Sequence, residues 1–350
     1  MNSKRKMKAA LKRIVYSGLF YSGGLALSMK IASLLGKDRS CIILAYHRFV
    51  DDRSVYLSKG PVMHHQIREF EKEIAYLRKH YNIVSIDEAV STIKSRRGFA
   101  RPAVVLTFDD GYLDNYTLAY PILRKYNVPA TIYLTTGLIG TSERTWPDRI
   151  ELALMGTSVR QFAHPDLFGG SPIPIATKAE KEKVCLDIGQ TLKPMLYDRR
   201  VKILEEVLES LGLNGKGEGM PRMMLNWDEV KEMVANGITF GSHSHTHPIL
   251  SKMPVGEAKG EILISKQMIE EHLGKEVKHF AIPNGGKDDF SRELRDYCRG
   301  IGFESIVSLI HGVNNGSQGD VFDLRRIGAT SPLWALAANL IRQQMKSRQP

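Results

Sequence analysis

Residues 103–111 read AVVLTFDDG, and this stretch decides the fold. Six residues that favour a buried strand are followed at once by Asp109, Asp110 and Gly111, although aspartate is rare in strands. Adjacent side chains on a regular strand point to opposite faces. Both carboxylates can therefore reach one site only where the strand ends and the chain turns, which a glycine permits. The alternative is that the two acids cap the helix predicted to begin near Asn115.

Short apolar runs of the same kind alternate with amphipathic helical stretches along the rest of the chain. This alternation is typical of α/β proteins, in which helices cover a mostly parallel sheet. No Gly-x-Gly-x-x-Gly pattern follows an early strand, so a barrel is favoured over an open dinucleotide-binding sheet. The predicted strands are 41–46, 103–108, 130–134, 238–242, 279–282 and 305–310, and the predicted helices are 66–81, 86–96, 116–126, 227–236, 255–273 and 289–301.

One region interrupts the alternation. Residues 141–222 contain the pair Gly169 and Gly170, then Pro172 and Pro174, and a charged helical stretch farther on. Such punctuation predicts a partly helical insertion on a loop, ending in the glycine-rich run 215–219.

A second motif follows the predicted strand 238–242. Residues 241–248 read GSHSHTHP and hold three of the chain's eleven histidines, His243, His245 and His247. One turn of backbone separates the outer two, so both imidazoles can reach one side. Neutral imidazole is the commonest nitrogen ligand for zinc and similar ions.

Two histidines and one carboxylate leave a coordination position open, which is typical of a catalytic metal site rather than a structural one. The second aspartate is then free to act as a general base. Two other chemistries use parts of this set. A glycoside hydrolase needs two carboxylates about 5 to 9.5 Å apart but would leave the histidines idle, and an iron oxygenase uses two histidines with one carboxylate.

The two motifs together resemble those of the polysaccharide deacetylases, the NodB-homology or carbohydrate esterase 4-like family, whose patterns are TFDDG and H-[ST]-x-x-H. The resemblance implies an α/β fold of the distorted (β/α) barrel type. It also implies that Asp109 is the catalytic base and that Asp110, His243 and His247 bind a divalent metal, with zinc favoured over cobalt, nickel or manganese. His245 has no role in the pattern and is a candidate for a substrate contact or for support of a ligand.

The implied reaction is hydrolysis of the amide of an N-acetylated sugar, in a polysaccharide or a lipid-linked saccharide, with release of acetate. A chain of this fold that has lost catalysis and only binds glycans is the non-enzymatic alternative. The retention of a base together with three metal ligands argues against that alternative, because binding alone needs no base.

The third family motif, R-x-P-Y-G, departs from the pattern in this chain. Residues 281–285 read AIPNG, so the loop that would present a backbone N–H to the oxyanion is retained around Asn284. The arginine that would orient the base is replaced by Ala281. Another group must therefore hold Asp109, or its basicity differs.

The general acid has two candidates in the sequence. His311, in the sequence Leu-Ile-His at 309–311, is the first candidate, and His47 at the end of the first strand is the second. Tyr112 is a candidate to line the site, although core packing explains it equally well. The pair 325–326, Arg-Arg, could contact an anionic sugar or a phosphate, but a solvated surface pair is favoured.

The net charge of +11 belongs mostly to the N-terminus. Residues 1–39 hold nine basic residues and one acidic residue, a net charge of +8, which leaves +3 for the other 311 residues. A nucleic-acid partner is therefore not expected, because that function needs basic residues clustered on the folded domain. The three cysteines are far apart, which argues against a disulfide framework.

An apolar run with a single lysine, 14–35, follows the basic stretch. Its uncharged part, 14–29, is shorter than the roughly 20 residues that span a bilayer. We expect residues 1–35 to associate with an anionic membrane surface, with the cytoplasmic face favoured. A signal sequence or signal anchor of an exported protein, and a helix packed on the body, are the alternatives. The predicted organisation is a membrane-proximal segment 1–39, a deacetylase-like domain 40–335 with the insertion, and a basic tail 336–350.

Overall fold

A parallel sheet forms the centre of the molecule in the computed structural model, which describes residues 3–24, 27, 40–51, 63–213, 221–315 and 320–346. The strands of this sheet are β1 Cys41–Tyr46, β4 Asn82–Ile83, β5 Ala103–Phe108, β6 Thr131–Leu134, β9 Thr239–Ser242, β10 His279–Ala281, β11 Ser305–Val307 and β12 Arg326–Gly328. Seven of them follow one another in the order β11-β10-β9-β6-β5-β1-β12, and β4 pairs with β5 beside them.

The two edges of the sheet meet, so the sheet is a nearly closed barrel. Val307 in β11 bridges in parallel to Leu324, two residues before β12. The Leu324 N–H donates to the Ile306 carbonyl at 3.0 Å, and the Ser308 N–H donates to the Leu324 carbonyl at 2.8 Å. The predicted fold class, an α/β barrel, is confirmed.

Helices surround this barrel. In chain order the helices of the described residues are α1 Ser3–Tyr21, α2 Ile67–His80, α3 Ile86–Lys94, α4 Tyr120–Tyr126, α5 Trp146–Gly156, α6 Lys178–Leu192, α7 Tyr197–Ser210, α8 Trp227–Ala235, α9 Val255–Leu273, α10 Arg292–Gly300 and α11 Leu333–Lys346. The helix predicted at 116–126 is two elements, because a π-helical turn, Asn115–Ala119, precedes α4.

Alternation along the strands divides the apolar residues into two cores. Residues such as Ile42 and Leu44 face the surrounding helices in the larger core. Ile43, Val105 and Val307 come from three different strands and share a second cluster, which fills the barrel interior. Helix α3 contributes its buried face to that cluster.

The predicted insertion is a small folded unit with a core of its own. It contains α5, α6, α7 and a hairpin of β7 Gln161–Phe162 and β8 Ile173–Pro174. Fifteen buried apolar residues from this region form one cluster that is separate from the barrel cores. The predicted glycine-rich run 215–219 lies outside the described residues. A further small sheet pairs β2 Arg48–Val50 with β3 His64–Gln66.

The N-terminal and C-terminal helices pack together. Tyr16 and Phe20 of α1 contact a small apolar cluster on α11, and the Phe20 ring lies 5.8 Å from that of Tyr76 on α2. Helix α11 runs through the boundary predicted after residue 335. Leu336 and Leu340 are fully buried, so residues 336–346 belong to the domain and not to a solvated tail. The apolar residues of this segment recur at helical spacing. That spacing indicates a packed helix, whereas the basic residues at the end of the chain had suggested a solvated tail.

No helix among the described residues is both long enough and apolar enough to span a membrane. The rest of the predicted N-terminal segment, residues 1–2, 25–26 and 28–39, lies outside the described part of the chain.

Candidate metal and catalytic site

The first site loop follows β5 and turns sharply. Asp110 and Gly111 both have left-handed backbone, with φ of 74° and 84°. Glycine adopts this φ without strain, and a Cβ at Gly111 would lie 2.7 Å from Leu134 Cδ2, so the leucine side chain would have to move. A non-glycine residue in this conformation is strained, and such strain concentrates at functional sites. The turn brings the carboxylates of Asp109 and Asp110 into one buried site, as the sequence predicted for the end of this strand.

The second site loop follows β9 and is also built on left-handed residues. Ser244 and His247 have φ of 65° and 62°, and the His247 N–H donates to the Ser244 Oγ at 3.1 Å. This compact turn places the rings of His243 and His247 with their centroids 5.0 Å apart.

The two loops together form a group of three candidate metal ligands. The Asp110 Oδ1 atom lies 3.5 Å from His243 Nε2 and 3.3 Å from His247 Nε2. One ligand atom from each residue lies within 4.8 Å of the other two. These three residues are the ones predicted from the sequence.

Two observations show that these residues suit a divalent cation. Asp110 Oδ1 is buried and has no hydrogen-bond partner among the described residues. His243 Nδ1 lies 2.8 Å from the Ala281 carbonyl oxygen, which can only accept, so Nδ1 carries the proton and the Nε2 lone pair faces Asp110. A backbone carbonyl that fixes the tautomer in this way is typical support for a metal-binding histidine.

Burial controls the protonation of this group. It lowers the pKa of His243 to about 4, although the nearby Asp109 charge acts in the opposite direction. Burial and the neighbouring His47 lower the pKa of His247 to about 4 as well. Both imidazoles are therefore neutral at pH 7 and can act as ligands. Burial raises the pKa of Asp110, against the effect of the adjacent histidines.

Asp109 is held by an arginine that the sequence analysis assigned to the surface. Arg326 in β12 is completely buried, and its Nη1 and Nη2 donate to the two Asp109 carboxylate oxygens at 2.6 and 2.7 Å. Burial acts to raise the pKa of Asp109, but the Arg326 charge and nearby histidines outweigh it and leave that pKa well below its usual value. The guanidinium also donates from Nη1 to Thr107 Oγ1 and from Nε to the Ser308 carbonyl.

Arg326 therefore takes the place of the arginine that the family motif has at the position of Ala281. The structure supplies the missing arginine from the last strand of the barrel instead of from β10. The prediction that Arg326 is half of a solvated surface pair is wrong, because the side chain lies inside the closed barrel. Arg325, its neighbour in the sequence, is the exposed member.

The catalytic cavity has a volume of about 280 Å³ and contains one of the two candidate acids. His47 lines it, with Nε2 at 3.8 Å from Asp109 Oδ2 and Nδ1 buried without a hydrogen-bond partner among the described residues. His311 is exposed and is not part of the cavity lining. The geometry thus favours His47 over His311 as the proton donor.

The other predicted residues divide between two cavities. Asn284 lines the catalytic cavity with a left-handed φ of 63°, and its side-chain amide donates to Asp289. Tyr112 also lines it, and its hydroxyl is fixed by Asp148 Oδ2 at 2.8 Å. His245 lines the neighbouring cavity instead, with Nδ1 at 3.0 Å from Thr136 Oγ1.

The insertion contributes to the site, which the sequence analysis did not predict. Trp146 at the start of α5 and Lys193 after α6 both line the catalytic cavity. Nothing local in the sequence marks these two residues, because their position depends on how the insertion folds over the barrel.

Comparisons with known proteins agree with this geometry. A family model described as polysaccharide deacetylase matches residues 96–305, well over half of the chain, and this match includes both site loops. The chain belongs to the polysaccharide deacetylase family. The family's members are hydrolases that act on carbon–nitrogen bonds other than peptide bonds, and they use a divalent metal.

Two relatives of known family each match part of this chain. The Bacillus subtilis protein YxkH is 31% identical over 134 residues, which is 37% of this chain and 45% of that protein. The poly-beta-1,6-N-acetyl-D-glucosamine N-deacetylase of Staphylococcus epidermidis is 26% identical over 185 residues, 50% of this chain and 59% of that protein. The chain thus spans about half the length of these relatives.

Among solved structures, the Streptococcus pyogenes deacetylase PplD, in complex with acetate, is similar over most of its length. The TM-score is 0.57 with 19% identity, and the match covers 87% of this chain and 98% of PplD. At that identity the similarity shows a shared fold.

Proposed function

We propose that this chain removes the acetyl group from N-acetylglucosamine units of a saccharide by hydrolysis that depends on a divalent cation at Asp110, His243 and His247. The observation that carries the proposal is the arrangement within one cavity. A carboxylate held ionised by Arg326 lies beside an open set of three metal ligands, with His47 next to it.

The chain's own groups divide the reaction between them. A cation held by the three ligands would polarise the acetamide carbonyl and lower the pKa of a water. Asp109 accepts the proton of the attacking water, and Arg326 keeps that carboxylate in place and ionised beforehand. His47 donates a proton to the departing amine. The backbone near Asn284 supports the oxyanion.

The same features argue against the alternatives. A glycoside hydrolase uses two carboxylates, and its reaction gives the two neutral imidazoles facing Asp110 no role. In a protein that only binds glycans, an ionised carboxylate with a fully buried arginine would be a costly arrangement without purpose, since burying charged groups is unfavourable. An intact base and ligand set supports catalysis.

The name of a relative supports the substrate that we propose. The matched Staphylococcus epidermidis protein is named for its action on poly-beta-1,6-N-acetyl-D-glucosamine, and a similar polymer is the first substrate that we propose. Zinc is the favoured cation, because two imidazoles and one carboxylate with an open position form a common catalytic zinc site.

The test measures acetate released from β-1,6-linked N-acetylglucosamine oligomers. We expect release by the metal-loaded wild type, none after chelation, and recovery when zinc is restored. Asp109→Asn should bind the metal and lose activity, whereas Asp166→Asn, on the surface of the insertion, serves as the matched control. Zinc binding without acetate release from any N-acetylated saccharide in a broad panel would refute the proposed reaction.

We further propose that α1 attaches the protein to an anionic membrane surface, on the cytoplasmic face. Tyr16 and Phe20 face the body of the protein, whereas Met7, Leu11 and Ile14 recur at helical spacing and are each more than 60% exposed. Six basic residues lie between positions 4 and 13 of the sequence. An apolar stripe with basic residues is typical of a helix that lies in the membrane interface.

Sedimentation with vesicles tests this attachment. The full chain should bind vesicles that contain phosphatidylserine and bind neutral vesicles less. Leu11→Glu should abolish binding, and Leu196→Glu, which changes a leucine that is 70% exposed on the insertion, should leave it intact. Equal binding by both variants would exclude α1 as the attachment site.

A further inference from the structure

We propose that a second cavity, beside the catalytic one, is a subsite for an anionic substituent of the saccharide, and that Arg200 of the insertion is its anchor. This inference rests on the proposed function, because it describes the neighbouring part of the same substrate. It adds a substrate class, namely glycans that carry a phosphate or carboxylate group near the sugar to be deacetylated.

The second cavity adjoins the metal ligands. Its volume is about 370 Å³, and Trp146 and His247 line both cavities. The helices α5 and α7 of the insertion form one wall, and the loop after β9 forms the other. A saccharide whose acetamide lies at Asp109 can therefore extend into the second cavity past the Trp146 ring.

Arg200 is a buried cation in this cavity wall. It is only 2% exposed, and its Nη1 atom has no hydrogen-bond acceptor among the described residues. Its guanidinium carbon lies 5.8 Å from the Trp146 ring centroid and 5.6 Å from that of Tyr197. Aromatic rings stabilise a cation only modestly, whereas a buried guanidinium without an anion is unfavourable. A bound oxyanion would supply the missing acceptor.

The charges around the cavity favour an anion. Its lining contains three arginines and two glutamates. One of those glutamates, Glu205, is already neutralised by Arg149, whose two terminal nitrogens donate to its oxygens at 2.7 and 2.8 Å. Burial lowers the pKa of Arg200, and the nearby Asp289 charge offsets this effect only in part.

Lys193 adds a second cation on the catalytic side. It lines the catalytic cavity, and it forms no ion pair within the described part of the chain. Burial lowers its pKa. The insertion thus places one cation in each of the two adjoining cavities. Both cations would attract a phosphate or carboxylate group carried by an N-acetylglucosamine saccharide.

The experiment compares three N-acetylglucosamine oligosaccharides of equal length, which are neutral, phosphorylated or terminated by a uronic acid. Binding is measured by calorimetry to zinc-loaded Asp109→Asn protein, in which no turnover interferes. Arg200→Gln removes the anchor, and Arg200→Lys keeps its charge. Arg199→Gln is the matched control, because Arg199 is the preceding residue on α7 and its exposed side chain pairs with Asp166.

We expect the affinity for an anionic oligosaccharide to be at least about tenfold higher than that for the neutral one, because a charge-assisted hydrogen bond contributes free energy of this size. Arg200→Gln should abolish this preference without changing the affinity for the neutral ligand, Arg200→Lys should retain part of it, and Arg199→Gln all of it. A preference for only one of the two anionic ligands identifies the substituent as phosphate or carboxylate.

Equal affinity for all three ligands, or the same preference in Arg200→Gln, would overturn the subsite. The outcome is separate from the proposed reaction. Acetate release by the wild type without anion preference would leave the deacetylase in place and remove the subsite. If the protein prefers the anionic ligands but the wild type releases acetate from none of the three, the subsite stands and the proposed reaction does not.

Discussion

Replacing Arg326 by methionine tests the most specific electrostatic feature of the site. Methionine keeps much of the side-chain length but leaves the Asp109 carboxylate, which is 1% exposed, without its bidentate partner. Removing one partner of a buried ion pair costs about 3 to 5 kcal/mol, because the remaining charge is buried and unpaired. We expect a loss of this size in the free energy of unfolding at pH 7.5.

The loss should depend on pH, and its direction follows from Asp109. In the wild type the pKa of Asp109 is lowered, so the stability it provides is present above the unfolded pKa of about 3.9 and persists until the pH falls through the lowered value. In the variant, burial dominates and raises this pKa. Protonation then relieves the unpaired charge as the pH falls, so the difference between the two proteins should be smaller at pH 5 than at pH 7.5.

Urea denaturation followed by circular dichroism, at both pH values and in the presence of chelator, measures the difference. Arg325→Met is the control, since it removes an exposed arginine one position away. The double variant Arg326→Met/Asp109→Asn should be more stable at pH 7.5 than Arg326→Met alone, because the amide carries no charge. A loss that matches that of Arg325→Met, or one that is independent of pH and of Asp109, would refute this account.

Three further outcomes follow from the site. Asp110→Asn should remove tight zinc binding, measured by metal analysis after dialysis, and retention of one zinc per chain would show that the ion lies elsewhere. His47→Gln should lower kcat by about 10² to 10⁴-fold with little change in metal content, whereas His311→Gln should leave kcat unchanged; the opposite result would exchange their roles. Gly285→Ala should lower the unfolding midpoint, because φ is 67° and the new Cβ would lie 2.7 Å from the Leu309 nitrogen; an unchanged midpoint would show that the loop relaxes freely.

Much of the fold could be predicted because it depends on local patterns. The strand over 103–108 is where the sequence predicts it, and helix α9 has the predicted ends. The boundary after residue 335 was wrong because charge at the end of the chain outweighed the apolar spacing within α11. The core of the insertion was not predicted either, since several short elements must pack before its buried face can be recognised.

The site was predictable where its residues are adjacent in the sequence. Asp109 with Asp110, and His243 with His247, lie on single turns that follow strands, so spacing alone brings them together. Arg326 was not predictable, because it lies 217 positions from Asp109 and meets it only when β12 joins the sheet. A buried arginine also has no local signal that separates it from its exposed neighbour.

The contact between Asp109 and Arg326 has a consequence for biosynthesis. The ribosome adds Asp109 long before it adds Arg326, which lies in the last strand of the barrel. Until that strand is made and pairs with β1, a nascent chain has the carboxylate and the histidines but lacks the arginine that binds both carboxylate oxygens. Catalytic competence should therefore arise late in synthesis, and a ribosome stalled before codon 326 should carry an inactive enzyme.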